Sequence, residues 1–318
     1  MSLSPVLART GDLPAPVVSP ATGRPVVVTL RAKLGAYLAL TKPRVIVLLE
    51  VPTLAAMLVA GPALPSVELV LVTLLGGALA AGGAAAINCY LDRDIDALMG
   101  DRTGRRPIPA GLVSPREALA LGVGLGVISF GLLAWRANLL AALLAMAALL
   151  FYVFVYTRWL KRSTPSNIVI GGAAGAIPPL VGWAAVRGQL DPAAWLLFAL
   201  VFFWTPPHFW ALSLLIKQHY ARARVPMLPV VRGDDETRRQ ILLYTAQMIC
   251  VSLLFVPFGF AGDAYLAAAL VLGGLFLYYA LRLRRRGARA DASGLFKYSM
   301  YYLLLLSIAL VIDRRVVG

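Results

Sequence analysis

The stretch VELVLVTLLGGALAAGGAAAINCYLDRDID, residues 67–96, joins an apolar run to an acidic end. An apolar run of about twenty residues predicts a transmembrane helix. On a helix, Asn88, Asp92 and Asp96 recur every four residues, so their side-chain oxygens lie along one face. Carboxylate oxygens in such a row suit a hard cation such as Mg²⁺. The stretch therefore predicts a metal site where a transmembrane helix ends.

Arginines follow these aspartates at once, at Arg102, Arg105 and Arg106. The planar guanidinium group matches the geometry of phosphate oxygens. Carboxylates for a metal beside arginines for phosphate predict chemistry on a diphosphate at a membrane surface.

Composition places the chain among polytopic helical membrane proteins. Hydrophobic residues make up 60% of it and charged residues 14%, and its mean hydropathy is +0.78. Several apolar runs approach or exceed the roughly 18 residues that predict a membrane span. The net charge of +15 is compatible with nucleic acid, but nucleic-acid surfaces interleave basic residues with exposed aromatics, which these loops mostly lack. We expect an all-α protein in a lipid bilayer, with no nucleic-acid partner.

Nine apolar segments predict nine transmembrane helices, near residues 45–61, 68–90, 116–135, 138–156, 166–186, 193–215, 240–260, 263–281 and 296–312. With a cytoplasmic N-terminus, the non-cytoplasmic side carries four of the 30 Lys and Arg residues, namely Arg136, Arg187, Arg314 and Arg315. That asymmetry predicts the orientation. The long charged loops then lie in the cytoplasm and predict a functional face there.

The N-terminal segment differs from the rest of the chain. Residues 1–34 are rich in proline and glycine and lack an apolar core of signal-peptide length, which predicts a disordered cytoplasmic tail. Residues 35–315 then form one transmembrane domain. The tail has too few basic residues for a transit peptide, which favours a bacterial inner membrane over a mitochondrial one.

The two halves of the chain have a similar organisation. The second span leads into residues 88–96, a basic stretch and RPIPAG (106–111). The sixth span passes through WTPPHFW (204–210) into KQHY (217–220), a basic stretch and PMLP (226–229). Internal duplication and chance are both compatible with this likeness. Two polar patches that face each other would form one cytoplasmic cavity.

These motifs resemble the UbiA superfamily of intramembrane prenyltransferases. The repeat of Asn88, Asp92 and Asp96 after the second span is similar to its first aspartate-rich motif. Within the superfamily, further segments in order over roughly residues 37–312 resemble the protohaem IX farnesyltransferase branch. They are TKPR (41–44), NCYLDRDIDALM (88–99), RT (102–103), RPIPAG (106–111), PSNIVIGGAAGA (165–176), TPPHFWAL (205–212) and YARARVPMLPVV (220–231).

The resemblance implies nine transmembrane helices around a central cavity capped by cytoplasmic loops. It implies farnesyl diphosphate, haem B and water as substrates, haem O and pyrophosphate as products, and haem A synthase as a partner that receives the product. Mg²⁺ held by Asn88, Asp92 and Asp96 would draw charge from the diphosphate as the C–O bond breaks. A haem vinyl group would capture the allylic cation, and apolar walls would exclude bulk water until then.

Basic and aromatic side chains are the expected substrate contacts. They are Lys42, Arg44, Arg102, Arg105, Tyr156, Lys161, Arg162, His208, Lys217 and Tyr220. The basic ones have an alternative role in setting topology only. Lys161 and Arg162 reach the pocket if the fifth span packs beside the second. His208 follows Pro206-Pro207, which we expect to open the helix, and either contacts haem or is a hydrogen-bonded core residue.

The sequence departs from the family pattern twice. His219 precedes Tyr220 where the resemblance implies a carboxylate, and an imidazole is a poor Mg²⁺ ligand. Asp234, Asp235 or Glu236 could compensate, or the first motif and the diphosphate hold the metal. The spacing from Met99 to Arg102 is one residue longer than the family pattern, which shifts Arg102.

Two other functions fit part of the sequence. A prenyltransferase of this type could use another aromatic or tetrapyrrole acceptor. A transporter would account for helices broken at paired prolines. It should also place ionisable residues near the bilayer midplane, where Glu50 is nearly the only candidate.

Overall fold

The computed structural model describes residues 29–100 and 103–317, and in these two ranges the chain forms helices and loops without a β-strand. The helices are α1 Leu30–Thr41, α2 Pro43–Ala60, α3 Val67–Leu91, α4 Arg93–Leu98, α5 Pro115–Arg136, α6 Leu139–Leu150, a π-helix Phe151–Leu160, α7 Lys161–Ser163, α8 Asn167–Ala176, α9 Pro178–Arg187, α10 Pro192–Leu215, α11 Lys217–Arg222, α12 Leu228–Val231, α13 Gly233–Leu254, α14 Asp263–Arg286, α15 Arg289–Ile312 and a terminal π-helix Asp313–Val317.

Eight helical segments of the described chain are long and apolar enough to cross a membrane. They correspond to eight of the nine predicted spans. The remaining one, α13, is 22 residues long, but its first turns are charged, and it begins at Gly233 rather than near residue 240. The membrane-protein class is confirmed, and the count of nine spans stays a prediction.

The long helices pack in a closed ring. In chain order α2, α3, α5 and α6 contact one another in turn, α8 and α9 follow, and then α10, α13, α14 and α15. The ring closes because α15 packs against α2. One end of the bundle carries Lys42, Asp92, Lys161 and Lys217, and we call it the basic end.

The paired prolines act differently from one another. Ile177 separates α8 from α9, and Pro178 begins the second helix, where its missing N–H costs nothing. By contrast, α10 continues through Pro206 and Pro207. The prediction that these prolines open the helix of the sixth span is therefore wrong. A transmembrane helix tolerates proline where neighbouring helices support it.

The N-terminal helix begins earlier than the predicted domain boundary at residue 35. Thr29 caps α1 by accepting a hydrogen bond from Ala32 N, and Lys33 pairs with Glu117 of α5 at 2.6 Å. This contact between distant segments gives Leu30 onward a defined place in the fold. Residues 1–28 of the predicted tail lie outside the described residues.

Candidate active site

The acidic motif lies at a one-residue break between two helices. Helix α3 ends at Leu91, Asp92 has φ −90° and ψ 8°, and α4 begins at Arg93. The four-residue hydrogen-bonding pattern nevertheless continues, from Asp92 N to Asn88 O at 2.8 Å and from Asp96 N to Asp92 O at 2.7 Å. The predicted common face of Asn88, Asp92 and Asp96 therefore survives the break.

All three side chains are withdrawn from solvent. Asn88 is 2% exposed, Asp92 is 0% exposed and Asp96 is 1% exposed. Burying a carboxylate is costly unless a cation or a set of hydrogen bonds compensates. The structure supplies a separate basic side chain to each of the three.

Asn88 and Asp92 are held by two lysines from different helices. The Lys42 ammonium donates to Asn88 Oδ1 at 2.7 Å, and Lys161 donates to Asp92 Oδ2. Asn88 Nδ2 donates to Asp92 Oδ2 at 2.7 Å and to the Thr157 hydroxyl at 3.1 Å. These groups form one buried polar network.

Lys42 reaches Asn88 from an unusual backbone conformation. It lies between α1 and α2 with φ 55° and ψ 58°, in the left-handed region that a non-glycine residue rarely occupies. Burial lowers the pKa of its ammonium group, and the nearby Arg106 acts in the same direction. Strain of this kind persists where surrounding contacts enforce it, often at functional sites.

Asp96 is bound by Arg106, which comes from the loop before α5. The Arg106 guanidinium donates to both Asp96 oxygens, at 2.7 and 2.9 Å. The Thr103 hydroxyl donates to the Asp96 carbonyl at 2.7 Å, which folds the loop back onto α4. Burial raises the pKa of the Asp96 carboxyl despite the opposing attraction of Arg106.

Asp94 belongs to the surface rather than to this network. It is exposed and accepts two hydrogen bonds of 2.7 Å from the Arg162 guanidinium. Those hydrogen bonds lower the pKa of Asp94 to about 2. Arg162 also lies 3.7 Å from Asp92 Oδ1, so it bridges the exposed carboxylate and the buried one.

The polar network forms the mouth of a cavity of about 500 Å³ inside the helix ring. Lys42, Asn88, Asp96, Arg106 and Lys161 line the mouth. Deeper walls come mainly from alanine, glycine and aliphatic side chains of α2, α3, α6, α8 and α9. A charged mouth above an apolar interior fits an amphiphile with an anionic head.

Two tyrosines of the π-helix line the cavity below its mouth. The rings of Tyr152 and Tyr156 lie 5.2 Å apart, and Tyr156 packs so closely on Gly171 of α8 that a Cβ there would overlap its ring. The glycine-rich sequence of α8 thus lets a bulky aromatic side chain occupy the wall. Such large rigid rings shape a binding surface at low entropic cost.

Glu50 lies on the deeper wall, on α2. Its Oε2 is buried and has no hydrogen-bond partner among the described residues, and Gly77 of α3 leaves the space that its carboxyl group occupies. The ionisable residue expected near the midplane therefore faces the cavity.

The second polar motif meets the first at the basic end. The sixth span ends at Leu215 and, after Ile216, continues as the short α11. His219 Nδ1 lies 2.9 Å from the Met99 carbonyl, so this nitrogen carries the proton and donates it. Tyr220 is buried and lines the cavity, whereas His219 does not. The two halves therefore face one cavity, as the sequence predicts.

The comparisons with known proteins agree with this arrangement. Residues 49–305 match the UbiA prenyltransferase family. The chain belongs to the UbiA prenyltransferase family. It is 58% identical over 280 residues to a protein named protoheme IX farnesyltransferase from Roseiflexus sp. (strain RS-1), which covers 88% of this chain and 52% of that protein. It is 55% identical to one of the same name from Thermosynechococcus vestitus, which covers 90% of each.

The chain thus spans about half the length of the Roseiflexus relative and most of the Thermosynechococcus one. Solved structures share the fold. A digeranylgeranylglyceryl phosphate synthase superposes with a TM-score of 0.73 at 19% identity, covering 89% of this chain and 98% of that chain. A UbiA homologue from Archaeoglobus fulgidus bound to GPP and Mg²⁺ gives 0.66 at 18% identity, covering 87% and 99%. At these identities the likeness establishes the UbiA fold.

Several predicted substrate contacts do lie at the cavity. Lys42, Tyr156, Lys161 and Tyr220 line it, and Arg162 joins its network from behind. Lys161 and Arg162 lie near Asp92 because the helix of the fourth span extends to Ser163 and contacts α3. We expected the fifth span to bring them there.

Other predicted contacts lie elsewhere. Arg44 and Arg105 are exposed and line no part of the cavity, and Lys217 pairs with Asp234 on the surface at 2.7 Å. Arg102 lies outside the described residues. All three carboxylates that could compensate for His219 form ion pairs, since Asp235 pairs with Arg238 at 2.6 Å and Glu236 with Arg239 at 3.4 Å.

His208 packs in the core between α10 and α15. Its ring stacks on Trp204 and Phe296, at centroid distances of 4.4 and 4.8 Å, and its Nδ1 lies 2.6 Å from the Ser299 hydroxyl. It is absent from the cavity lining. Of the two roles open in the sequence, the structure favours the hydrogen-bonded core histidine.

Sequence reasoning gave no role to Thr103 or Thr157, and it named Arg106 among three arginines suited to phosphate but not as the partner of Asp96. Arg106 is the cation on Asp96, although Arg102 and Arg105 were the expected contacts. The loop between Asp96 and Arg106 has no periodicity from which this pairing follows. Thr157 belongs to no motif. It lies four residues before Lys161, on the same helix face, and that spacing was the one feature that could have predicted its contact with Asn88.

The donor set fits a magnesium ion that is shared with a phosphate ligand. No group of three or more His, Cys, Asp and Glu side chains suited to a metal occurs in the described chain. Mg²⁺ is usually held by one or two carboxylates together with substrate phosphates and water, so two aspartates suffice. Asp96 lines the cavity, whereas Asp92 is 0% exposed and absent from the lining. Asp92 Oδ1 accepts no hydrogen bond from a described residue and lies 3.7 Å from the Arg162 guanidinium.

Proposed function

We propose that this protein transfers the farnesyl group of farnesyl diphosphate to a vinyl group of haem B, with addition of water. The products are haem O and pyrophosphate. The observation that carries the reaction type is the buried Asn88, Asp92 and Asp96 network at the mouth of an apolar cavity. The acceptor rests on the relatives named protoheme IX farnesyltransferase.

Basic side chains at the mouth bind the diphosphate. Lys42, Lys161 and Arg106 now neutralise the Asn88–Asp96 network, and a diphosphate of opposite charge offers them stronger partners. Each cation would then stabilise negative charge on the leaving group. Of the carboxylates that they release, Asp96 already lines the cavity, whereas Asp92 is fully buried next to Asn88.

Asn88, Asp92 and Asp96 would hold Mg²⁺ together with the diphosphate. When bound, this ion withdraws negative charge from the diphosphate. Asp92 Oδ1 is the oxygen that has no competing hydrogen bond among the described residues.

The cavity walls determine the fate of the farnesyl group. As the C–O bond of the diphosphate breaks, its electron pair leaves with pyrophosphate, and the vinyl π electrons form the new C–C bond. The porphyrin-side cation takes up water, which then loses a proton. Tyr152, Tyr156 and the small apolar residues below them exclude bulk water from the allylic cation.

The same proposal covers location and partners. The basic end, with the cavity mouth, faces the cytoplasm of a bacterial inner membrane, because nearly all Lys and Arg of ranges 29–100 and 103–317 lie at that end. Haem A synthase would take over the product. Haem O with its farnesyl chain is hydrophobic and stays in the membrane, which suits direct transfer from one enzyme to the next.

Product analysis tests the function. Purified protein is supplied with haem B, farnesyl diphosphate and Mg²⁺, and the molecular mass of the extracted haem is measured by mass spectrometry. We expect a product heavier than haem B by one farnesyl group and one hydroxyl group, absent without Mg²⁺ and absent in Asp92→Asn. Pyrophosphate release is measured in parallel.

Pyrophosphate release tests the prenyl donor, and the mass of the haem product tests the acceptor. Pyrophosphate release with unchanged haem would overturn haem as acceptor and favour another aromatic or tetrapyrrole acceptor. If a folded protein gives no product and releases no pyrophosphate, prenyl transfer itself would be overturned.

A further inference from the structure

A second groove lies on the other side of the helix that walls the active site. It has a volume of about 410 Å³ and is lined almost wholly by apolar side chains of α3, α5, α6 and the π-helix Phe151–Leu160. Leu149 lines both the groove and the active-site cavity. The proposed reaction makes no use of this groove.

Glycines on two helices explain why the groove forms. Helices α3 and α5 cross so closely that a Cβ on Gly83 would lie 2.7 Å from the Gly122 carbonyl oxygen. Gly122 and Gly126 also line the groove and carry no side chain that would fill it. A hollow therefore remains between α5 and the π-helix.

The groove opens to the surroundings of the bundle. Val123 and Val127 of α5 are 52% and 64% exposed, and Phe154 of the π-helix is 62% exposed. All three line the groove. They lie within transmembrane spans, so lipid chains are what surrounds them.

One charged side chain, Arg158, lines the groove at its basic end. Arg158 is exposed and forms no hydrogen bond or ion pair with any residue of ranges 29–100 and 103–317. Arg93 lies at the same end, with its guanidinium 4.8 Å from the ring centroid of Tyr90, another lining residue. An unpaired guanidinium above an apolar groove suits an anionic head group with a hydrocarbon chain.

We propose that the groove binds one anionic phospholipid, with an acyl chain along α5 and its phosphate on Arg158. The lining runs from Leu119 to Val127, which is about 12 Å of helix. One leaflet contributes about 15 Å of hydrocarbon, so the groove accommodates most of one chain. Anionic lipids also gather where basic side chains lie near the membrane surface.

The bound lipid would support the active site from behind. Phe154 and Arg158 form its contact surface on the π-helix. The same helix carries Tyr156 into the cavity and Thr157 to Asn88, and Lys161 follows directly. The lipid and the diphosphate thus occupy opposite faces of one helix.

Native mass spectrometry of the delipidated full chain tests the proposal. Phosphatidylglycerol and phosphatidylcholine with identical acyl chains are titrated separately. We expect one phosphatidylglycerol to bind about fivefold more tightly, since one arginine near the surface contributes about 1 kcal/mol. Arg158→Gln should abolish that preference, whereas Arg116→Gln, which removes an exposed charge on α5 outside the groove, should keep it.

A second pair of variants tests the groove itself. Val123→Trp fills it and should lower the affinity for both lipids, whereas Ile128→Trp, on an exposed α5 position outside the lining, should leave both unchanged. Thermal unfolding midpoints establish that each variant is folded.

Three results would overturn the proposal. The first is a preference that persists in Arg158→Gln, and the second is equal losses in Val123→Trp and Ile128→Trp. The third is displacement of phosphatidylglycerol by a farnesyl thiolodiphosphate in Asp92→Asn, which would make the occupant a prenyl diphosphate.

Discussion

The two polar motifs share a backbone plan and differ in chemistry. Helix α3 is interrupted at Asp92 and continues as the six-residue α4. Helix α10 is interrupted at Ile216 and continues as the six-residue α11. In both, a long apolar helix ends at the basic end of the bundle and turns into a short helix beside the cavity.

The residue at the break accounts for the difference. Asp92 is fully buried and recruits Lys161 from another helix, whereas Ile216 is a buried apolar residue that lines the cavity. The first motif therefore concentrates charge. The second adds Tyr220 to the cavity lining and uses His219 to hold the Met99 carbonyl. A repeated backbone plan thus need not repeat a cluster of buried carboxylates.

The largest effect should come from the buried carboxylates. Asp96→Asn should lower kcat about 100-fold or more, because it removes a carboxylate that we propose to hold the Mg²⁺ on the diphosphate. Asp94→Asn, two residues away and exposed, should cost about fivefold or less, as for a surface ion pair. Steady-state pyrophosphate release measures both. Equal losses would show that the motif acts through its total charge.

Arg106 should matter more than its neighbour Arg105. Arg106→Gln leaves the buried Asp96 without its cation and should lower kcat/KM about 100-fold. Arg105→Gln changes an exposed side chain outside the cavity lining and should stay within about twofold. Kinetics with varied farnesyl diphosphate tests this pair. A larger loss in Arg105→Gln would restore the assignment expected from sequence.

The two lysines test the asymmetry between the motifs directly. Lys161→Gln breaks the pair with buried Asp92 and should lower kcat/KM about 30-fold. Lys217→Gln breaks an exposed pair with Asp234 and should have an effect of about twofold or less. Comparable losses would place a working diphosphate site at the second motif.

His219 variants distinguish a contact between motifs from a metal ligand. His219→Asn keeps a donor for the Met99 carbonyl and should retain activity within about twofold. His219→Asp puts a carboxylate against that carbonyl and should cost about fivefold. Activity across a Mg²⁺ titration measures both. Sharper Mg²⁺ dependence in His219→Asp would instead show that the position reaches a metal.

The smallest catalytic effect should come from His208. His208→Ala removes the stacking on Trp204 and Phe296 and should lower the free energy of unfolding by about 2 kcal/mol. Haem B affinity should not change, since His208 is not in the cavity lining. Thermal unfolding and absorption titration with haem B measure the two quantities. An altered haem spectrum would move His208 into the acceptor site.

Patterns within one helix could be recognised from the sequence. The apolar runs and the spacing of Asn88, Asp92 and Asp96 depend on neighbours three or four residues apart, and the structure preserves both. The break of the fifth span before Pro178 also follows from local chemistry. The continuity of α10 through Pro206 and Pro207 does not, because neighbouring helices decide whether a proline opens a transmembrane helix.

The sequence by itself determined the membrane class, the acidic motif and the end of the bundle at which the two polar motifs lie, because composition and helical periodicity carry that information. Only the tertiary structure decided which cations serve that motif. Arg106 reaches Asp96 through an aperiodic loop, and Lys161 reaches Asp92 across 69 residues of sequence. Such pairings depend on how whole helices pack, since a buried carboxylate selects its partner by distance and desolvation rather than by position in the chain.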